Sequence, residues 1–188
     1  MVGPGRSRMW LVALACGWLA AAALNGQTYR FRFYGSADGL FNLGVVTLYQ
    51  DRTGFIWAGT QNGAFRFDGQ RWRHYGTESG LVGDYVLGFA ETPDGSFFVA
   101  SESHIYRRNG ERFEALALPR GRPRGSQPMV VTSAGSLLVA LSDGFYEAKP
   151  PRFELTPRYP AQSPRGVFLH QSSIWFGCGD QACRLDPP

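Results

Sequence analysis

The chain has 188 residues, 44% hydrophobic and 18% charged, enough for one ordinary domain with a real core. Glycine (24) and phenylalanine (14) are plentiful, a balance that favours an all-β protein with many tight turns over a helical one. The net charge of +4 rests almost wholly on arginine, Lys149 being the only lysine, and so modest an excess does not argue for nucleic acid as a partner.

At the amino terminus Arg6 and Arg8 precede an apolar run, Trp10–Leu24, that ends in small residues. A comfortable membrane span takes about 20 apolar residues, so residues 1–26 read as a signal peptide, cleaved between Ala22 and Gln27. Two alternatives stand beside it. Cys16 suggests a lipoprotein, although Ala13 occupies the position where leucine is usual. The run also suits an uncleaved anchor helix. The mature chain is expected in the periplasm or outside the cell, with helix confined to Trp10–Ala23.

From Thr28 onward the sequence repeats itself. "RFRFYGSADGL" (Arg30–Leu40) returns as "RWRHYGTESGL" (Arg71–Leu81). "DRTGFIWAGT" (Asp51–Thr60) returns as "TPDGSFFVAS" (Thr92–Ser101), then as "TSAGSLLVAL" (Thr132–Leu141), then as the worn "HQSSIWFGC" (His170–Cys178). A period near 40 residues with turns at fixed places describes a four-stranded antiparallel meander. In the best copy "VVTLYQ" turns at Asp51–Gly54 into "FIWAGT", turns at Gln61–Gly63 into "AFRF", and turns at Asp68–Gly69 into "RWRHY". Units of this kind stack radially as β-propeller blades. The expected units are 45–75, 86–116, 129–156 and 166–186, within a domain of residues 27–188.

The fourth unit stops where its outer strand should begin, and 28–34 is an outer strand with no unit before it. The expectation is an incomplete propeller: an amino-terminal piece whose open blade edges promote self-association, with a membrane helix and an output domain elsewhere in the intact protein.

The pattern Asp38-Gly39-Leu40, Val46, Asp51, Gly54, Ile56-Trp57, Gly59-Thr60, Gly63, Arg66-Phe67, Asp68-Gly69 resembles the two-component regulator propeller, the periplasmic sensor repeat of bacterial hybrid histidine kinases and related diguanylate cyclases. The resemblance covers nearly all of Tyr29–Asp186, strongest in the first copy. It implies an extracytoplasmic sensor propeller whose ligand, a small molecule or an oligosaccharide, is signalled through the membrane. Two other readings remain. Asp-x-Thr-Gly before Trp57 also resembles the repeat of quinone-cofactor dehydrogenases, and the chain also suits a free-standing secreted interaction propeller.

The residues give little sign of an enzyme or a cofactor. His74, His104 and His170 lack metal-ligand spacing, no serine sits in a nucleophile elbow, and Asp51, Asp68, Asp94 and Asp143 read as turn residues. Leu40 and Leu81 read as plugs between blades. A binding face is placed by topology on two sets of loops that open together. The loops entering the blades are 35–43, 76–84, 119–128 and 157–164; the turns within them are 61–62, 102–103, 142–143 and 179–180. The candidate ligand-facing residues are Asn42, Gln61, Asn62, Asp84, Glu102, Arg120, Arg122, Arg124, Asp143 and Asp180. The arginines of "PRGRPRG" suit carboxylate or phosphate oxygens, against the reading of a solvated, poorly ordered loop. Cys178 and Cys183, separated by four residues across a hairpin, are expected to face each other and to form a disulfide.

Overall fold

The structure, a computed structural model, describes residues 30–82, 85–161 and 163–186. The signal peptide and Asp84 lie outside the described residues. Contacts divide the chain into two units, Met1–Phe33 and Tyr34–Pro188. In the first, Arg30–Phe33 are exposed and carry no strand. The segment 28–34, expected as an outer strand, thus takes no part in a sheet over its described residues, 30–34.

The second unit is all β apart from two short 3-10 turns. The first sheet runs β1 (Val45–Gln50), β2 (Ile56–Thr60), β3 (Gly63–Phe67) and β4 (Trp72–Tyr75). The second is β5 (Val86–Glu91), β6 (Phe97–Ser101), β7 (Ile105–Asn109) and β8 (Arg112–Ala115). The third is β9 (Met129–Val131), β10 (Leu137–Leu141), β11 (Gly144–Ala148) and β12 (Leu155–Pro160), and the fourth has three strands, β13 (Arg165–His170), β14 (Ser173–Cys178) and β15 (Gln181–Leu185). Every neighbouring pair is antiparallel. The first strand of each sheet packs against that of the next, β1 on β5, β5 on β9 and β9 on β13, which is how propeller blades stack. One boundary differs from the expected units by more than a single residue: β12 continues past Thr156 to Pro160. An outer edge strand tolerates Pro157 and Pro160, which have no N–H to give to a ladder.

Because side chains alternate along a strand, each inner sheet packs on both faces. In β6, Phe97 and Val99 meet the first blade, where they cluster with Trp57 and Tyr75. Phe98 and Ala100 meet the third blade, among Met129, Leu137 and Val139. Leu138 and Ala140 of β10 then meet Val167 and Ile174 of the fourth. Leu81, fully buried between the first two blades, is the plug its sequence suggested. Its loop needs Gly80 at φ +94, and a Cβ there would run into the Phe113 carbonyl. Close packing also explains Gly59, where a Cβ would come within 2.6 Å of Thr47 and 2.7 Å of Val86. When that position becomes Ala100 in the second blade, its cross-strand partner Thr47 becomes Gly88. The methyl is accommodated because the threonine side chain opposite it is gone.

Trp57 holds the first interface together. It is 0% exposed and lies 4.7 Å from Phe97, 5.2 Å from Tyr75 and 6.0 Å from Phe89, centroid to centroid. Its indole N–H donates to Asp51 Oδ2 at 2.8 Å, while Asp51 Oδ1 accepts the Thr53 N–H, the Thr53 hydroxyl and the Phe55 N–H. Asp51 is more than a turn residue: one carboxylate closes the β1–β2 turn and satisfies the buried indole. Burial alone would raise its pKa, but hydrogen bonds from Thr53, Trp57 and Phe55 outweigh this and hold it below the usual carboxylate range. Across the same interface Glu111, on the β7–β8 turn, accepts the Tyr75 hydroxyl at 2.8 Å and pairs with Arg73 at 2.8 Å.

The equivalent position in the last blade looks different. Trp175 pairs with Phe168 and Arg184, as Trp57 pairs with Tyr49 and Arg66. Yet Trp175 is 38% and Phe168 64% exposed. At the opposite end Leu48, whose place in the second blade is taken by the fully buried Phe89, is 65% exposed.

Two outcomes follow from this packing. Trp57→Ala should lower unfolding free energy by about 3–5 kcal/mol, and Trp175→Ala by less than about 1 kcal/mol, measured by urea denaturation of the purified chain. The Asp51 contribution should be present above the ordinary carboxylate pKa and be lost as pH falls through its depressed folded value. Denaturation midpoints between pH 7 and pH 3 should therefore fall less in Asp51→Asn than in wild type, with Asp51→Asn less stable at pH 7 by about 1–3 kcal/mol.

Candidate ligand-facing loops

The loops that enter the blades and the turns inside them meet on one side of each sheet, as the meander requires. In the first blade the Asn42 side chain accepts the Gly44 N–H at 3.1 Å, and Gly44 lies against the Gln61 side chain, where a Cβ would come within 3.0 Å of Gln61 Cδ. Asn42 and Gln61 are thus neighbours. Asn62 is tied back: its N–H donates to Thr60 Oγ1, and its carbonyl lies 2.9 Å from His74 Nε2. His74 is therefore half-buried on its strand, not a free surface imidazole.

In the second blade Glu102 is exposed on the β6–β7 turn, and its N–H donates to the Tyr85 carbonyl. Residues 116–128 connect β8 to β9; the loop is largely exposed, as a solvated loop is, but its backbone is anchored to other blades. The Arg122 N–H donates to Ser142 Oγ at 3.2 Å, its carbonyl accepts the Ser142 N–H at 2.9 Å, and Pro123 forms a β-bridge with Leu141. The Arg124 carbonyl accepts the Gly166 N–H of β13. Asp143 Oδ2 accepts the Tyr146 hydroxyl at 2.8 Å; burial first, then this bond and the carboxylate charge, raise the Tyr146 pKa. The loop before β13 is shorter than 157–164, since 157–160 belong to β12.

Glu102, Arg122 and Arg124 come together around an open cleft of about 400 Å³, with Leu87 and Arg165 also lining it. Asn42 and Gln61 form a separate group on the first blade. Arg120 is exposed outside that cleft, and Asp180 is exposed on the β14–β15 turn, with no hydrogen bond or ion pair to a described residue. The candidates thus divide into local groups along the blade tops. Among the described residues no group of three or more His, Cys, Asp or Glu could hold a metal ion.

Two residues that matter here were absent from the candidates. Arg165 opens β13, and only its register, not its local sequence, sets it beside the loop from the previous blade. Gln127 joins three blades. Its N–H donates to the Leu87 carbonyl at 2.8 Å, and its side-chain amide donates to the carbonyls of Phe89 and Met129 at 2.8 and 3.0 Å. Its carbonyl accepts the Val167 N–H at 2.9 Å. Gly88 leaves room for it: a Cβ there would come within 2.6 Å of the amide oxygen.

The turn carrying Asp180 is closed by the Cys178–Cys183 disulfide, with Cα atoms 5.9 Å apart. The two residues are not directly opposed as expected. With only Gly179 and Asp180 in the turn, Cys178 pairs with Gln181, and Cys183 falls opposite Phe176, so the bridge runs diagonally. Reduction should destabilise the chain by no more than about 2 kcal/mol, because so short a loop closes little chain entropy. Thermal unfolding with and without reductant checks this.

Residues 39–62 match the family model described as the two component regulator propeller. The matched stretch runs from the Leu40 loop through the Asp51–Trp57 pair to the Gln61–Asn62 turn. Among solved structures, the extracellular domain described as that of a hybrid two component system from B. thetaiotaomicron is similar with a TM-score of 0.70 and 15% identity, over 87% of this chain and 24% of that one. An extracellular domain of a one component system from the same organism gives 0.65 and 15%, over 81% and 23%. Virginiamycin B lyase from Staphylococcus aureus gives 0.62 and 15%, over 75% and 52%. At these identities the likeness is one of fold, the β-propeller. The chain spans about a quarter of the length of the two sensor domains. No curated protein matches it.

Proposed function

We propose that this chain, which carries the two component regulator propeller repeat in a stack of propeller blades, is an arc of an extracytoplasmic sensor propeller in a bacterial signal-transduction protein. In this reading the remaining blades, a membrane segment and an output domain belong to the same intact protein. The arc binds a small molecule or an oligosaccharide, performs no catalysis and needs no cofactor. A signal peptide exports it to the periplasm or beyond, and it meets the membrane only through that peptide or the membrane segment.

The observation that carries the reading is the contrast between Trp57 and Trp175. The same register position is sealed in the first blade and open in the last, so the fourth sheet presents a face shaped to receive another blade. At the other end Leu48 is exposed, beside Ala58 and Phe65 that the Leu40 loop covers. The sensor domains that share the fold are about four times as long as this chain. The disulfide suits an oxidising compartment. The lyase likeness, being one of fold, lends no chemistry to this chain.

Sedimentation of the purified chain tests the arc. The expected result is concentration-dependent self-association that Trp175→Arg combined with Leu48→Lys abolishes; a cooperatively unfolding monomer at all concentrations overturns it. An oligosaccharide array probed with the same protein tests the ligand. Saturable binding to one glycan class is expected, and an array with no hit removes the oligosaccharide reading.

A further inference from the structure

We propose that the cleft lined by Glu102, Arg122, Arg124 and Arg165 is an oxyanion-binding site, suited to a small molecule bearing a carboxylate or sulfate group. The inference deepens the sensor reading and rests on it only for the ligand's role in signalling.

The first argument is how the arginines are held. Arg122 and Arg124 flank Pro123, which is buried and bridged to Leu141. In extended backbone residues two apart point to the same side, so the bridge that fixes Pro123 turns both arginines the same way, and both line the cleft. The third comes from the next blade. Gly125 approaches β13 so closely that a Cβ would meet the Gly166 nitrogen at 2.9 Å, and the Arg124 carbonyl accepts the Gly166 N–H. This junction brings Arg165 to the same opening. Ordered backbone on three blades therefore presents these side chains, and less entropy is lost when a ligand orders them.

The second argument is that their charge is unspent. Several other arginines are used internally. Arg73 and Arg108 pair with Glu111. Arg52 donates to the carbonyls of Thr92 and Pro93. Arg158 pairs with Glu147, and Arg184 with Asp186. The guanidiniums of Arg122, Arg124 and Arg165 make no hydrogen bond or ion pair with any described residue. Three guanidiniums facing one carboxylate leave an excess of positive charge in a concave site, and guanidinium forks match carboxylate and sulfate oxygens.

The third argument concerns the rest of the ligand. Glu102 on the rim accepts hydrogen bonds from hydroxyls and repels a second anion at that end. Arg122 also lines an adjoining open hollow of about 540 Å³ with Leu116 and Leu118, an apolar shelf beside the charged end. The cleft therefore fits a molecule with an oxyanion at one end, hydroxyls near Glu102 and an apolar ring face between them.

Calorimetric titration of the full chain with glucuronate, inorganic sulfate and, as the uncharged match, glucose tests the site at fixed ionic strength. Glucuronate is expected to bind saturably and at least tenfold more tightly than glucose, with sulfate competing. Replacing all three arginines by glutamine should weaken glucuronate roughly tenfold or more, single replacements several-fold each. Arg120→Gln should bind as wild type does, and Glu102→Gln should tighten sulfate. Equal binding of glucuronate and glucose, no saturable binding of either anion, or an affinity unchanged in the triple variant each overturns the inference. A neutral oligosaccharide that binds while both anions fail overturns this site and leaves the sensor reading standing. Anion binding that needs the three arginines, with no glycan bound by the array, upholds the site and removes the oligosaccharide ligand.

Discussion

Everything in this unit depends on one packing event, the burial of a large side chain from the second strand of a blade between two sheets. Trp57 shows its demands. An indole buries a large apolar area but carries one N–H that cannot be left unpaired without a penalty of about 1–3 kcal/mol. Asp51 supplies the acceptor, and because a buried carboxylate is itself costly, Thr53 and Phe55 supply donors to it. The β1–β2 turn is thus dictated by the residue it helps to bury. When the tryptophan becomes Phe98 or Leu138 no acceptor is needed, and the carboxylate gives way to the hydroxyls of Thr92 and Thr132. Their turns are closed by Thr92 N–H to the Ser96 carbonyl and Thr132 N–H to the Ser136 carbonyl. The degenerate copies keep the fold because turn and core changed together.

The architecture was legible because a propeller repeats its instructions. The period placed the fifteen strands of the described residues in order, though not the strand expected at 28–34, and the glycine and aspartate turns placed the hairpins. Leu81 was recognisable as a plug because its loop recurs. Cross-blade detail was less accessible. The role of Asp51 toward Trp57 depends on a side chain six residues away folding back across a turn, where sequence sees only a turn former. The diagonal disulfide depends on a two-residue turn fixing the register.

The ligand-facing loops were the least legible part. They differ from blade to blade, so the repeat gives no alignment for them. The 116–128 connection reads as prolines and arginines, the composition of a solvated loop, because its anchors are backbone groups of other blades. Gln127 is the clearest case: a glutamine between serine and proline carries no signal that its amide and main chain join three blades. Arg165 became relevant only through the register of β13.

The different cover at the two ends has a consequence for motion. In a stack where each sheet contacts only its neighbours, local stability is a sum of nearest-neighbour contributions. The second and third sheets are clamped from both sides, the fourth leaves Phe168 and Trp175 exposed, and the first has its outer face covered only by the Leu40 loop. Opening should therefore begin at the margins and stop at the interior, a gradient of amide protection highest at β6 and β10 and lowest in β1 and β14. Gln127 modifies this gradient. By bonding to β5, β9 and β13 it couples the fourth sheet to the protected interior, so the two margins do not fray alike. The sheet of three strands is the one fastened by a residue outside the repeat.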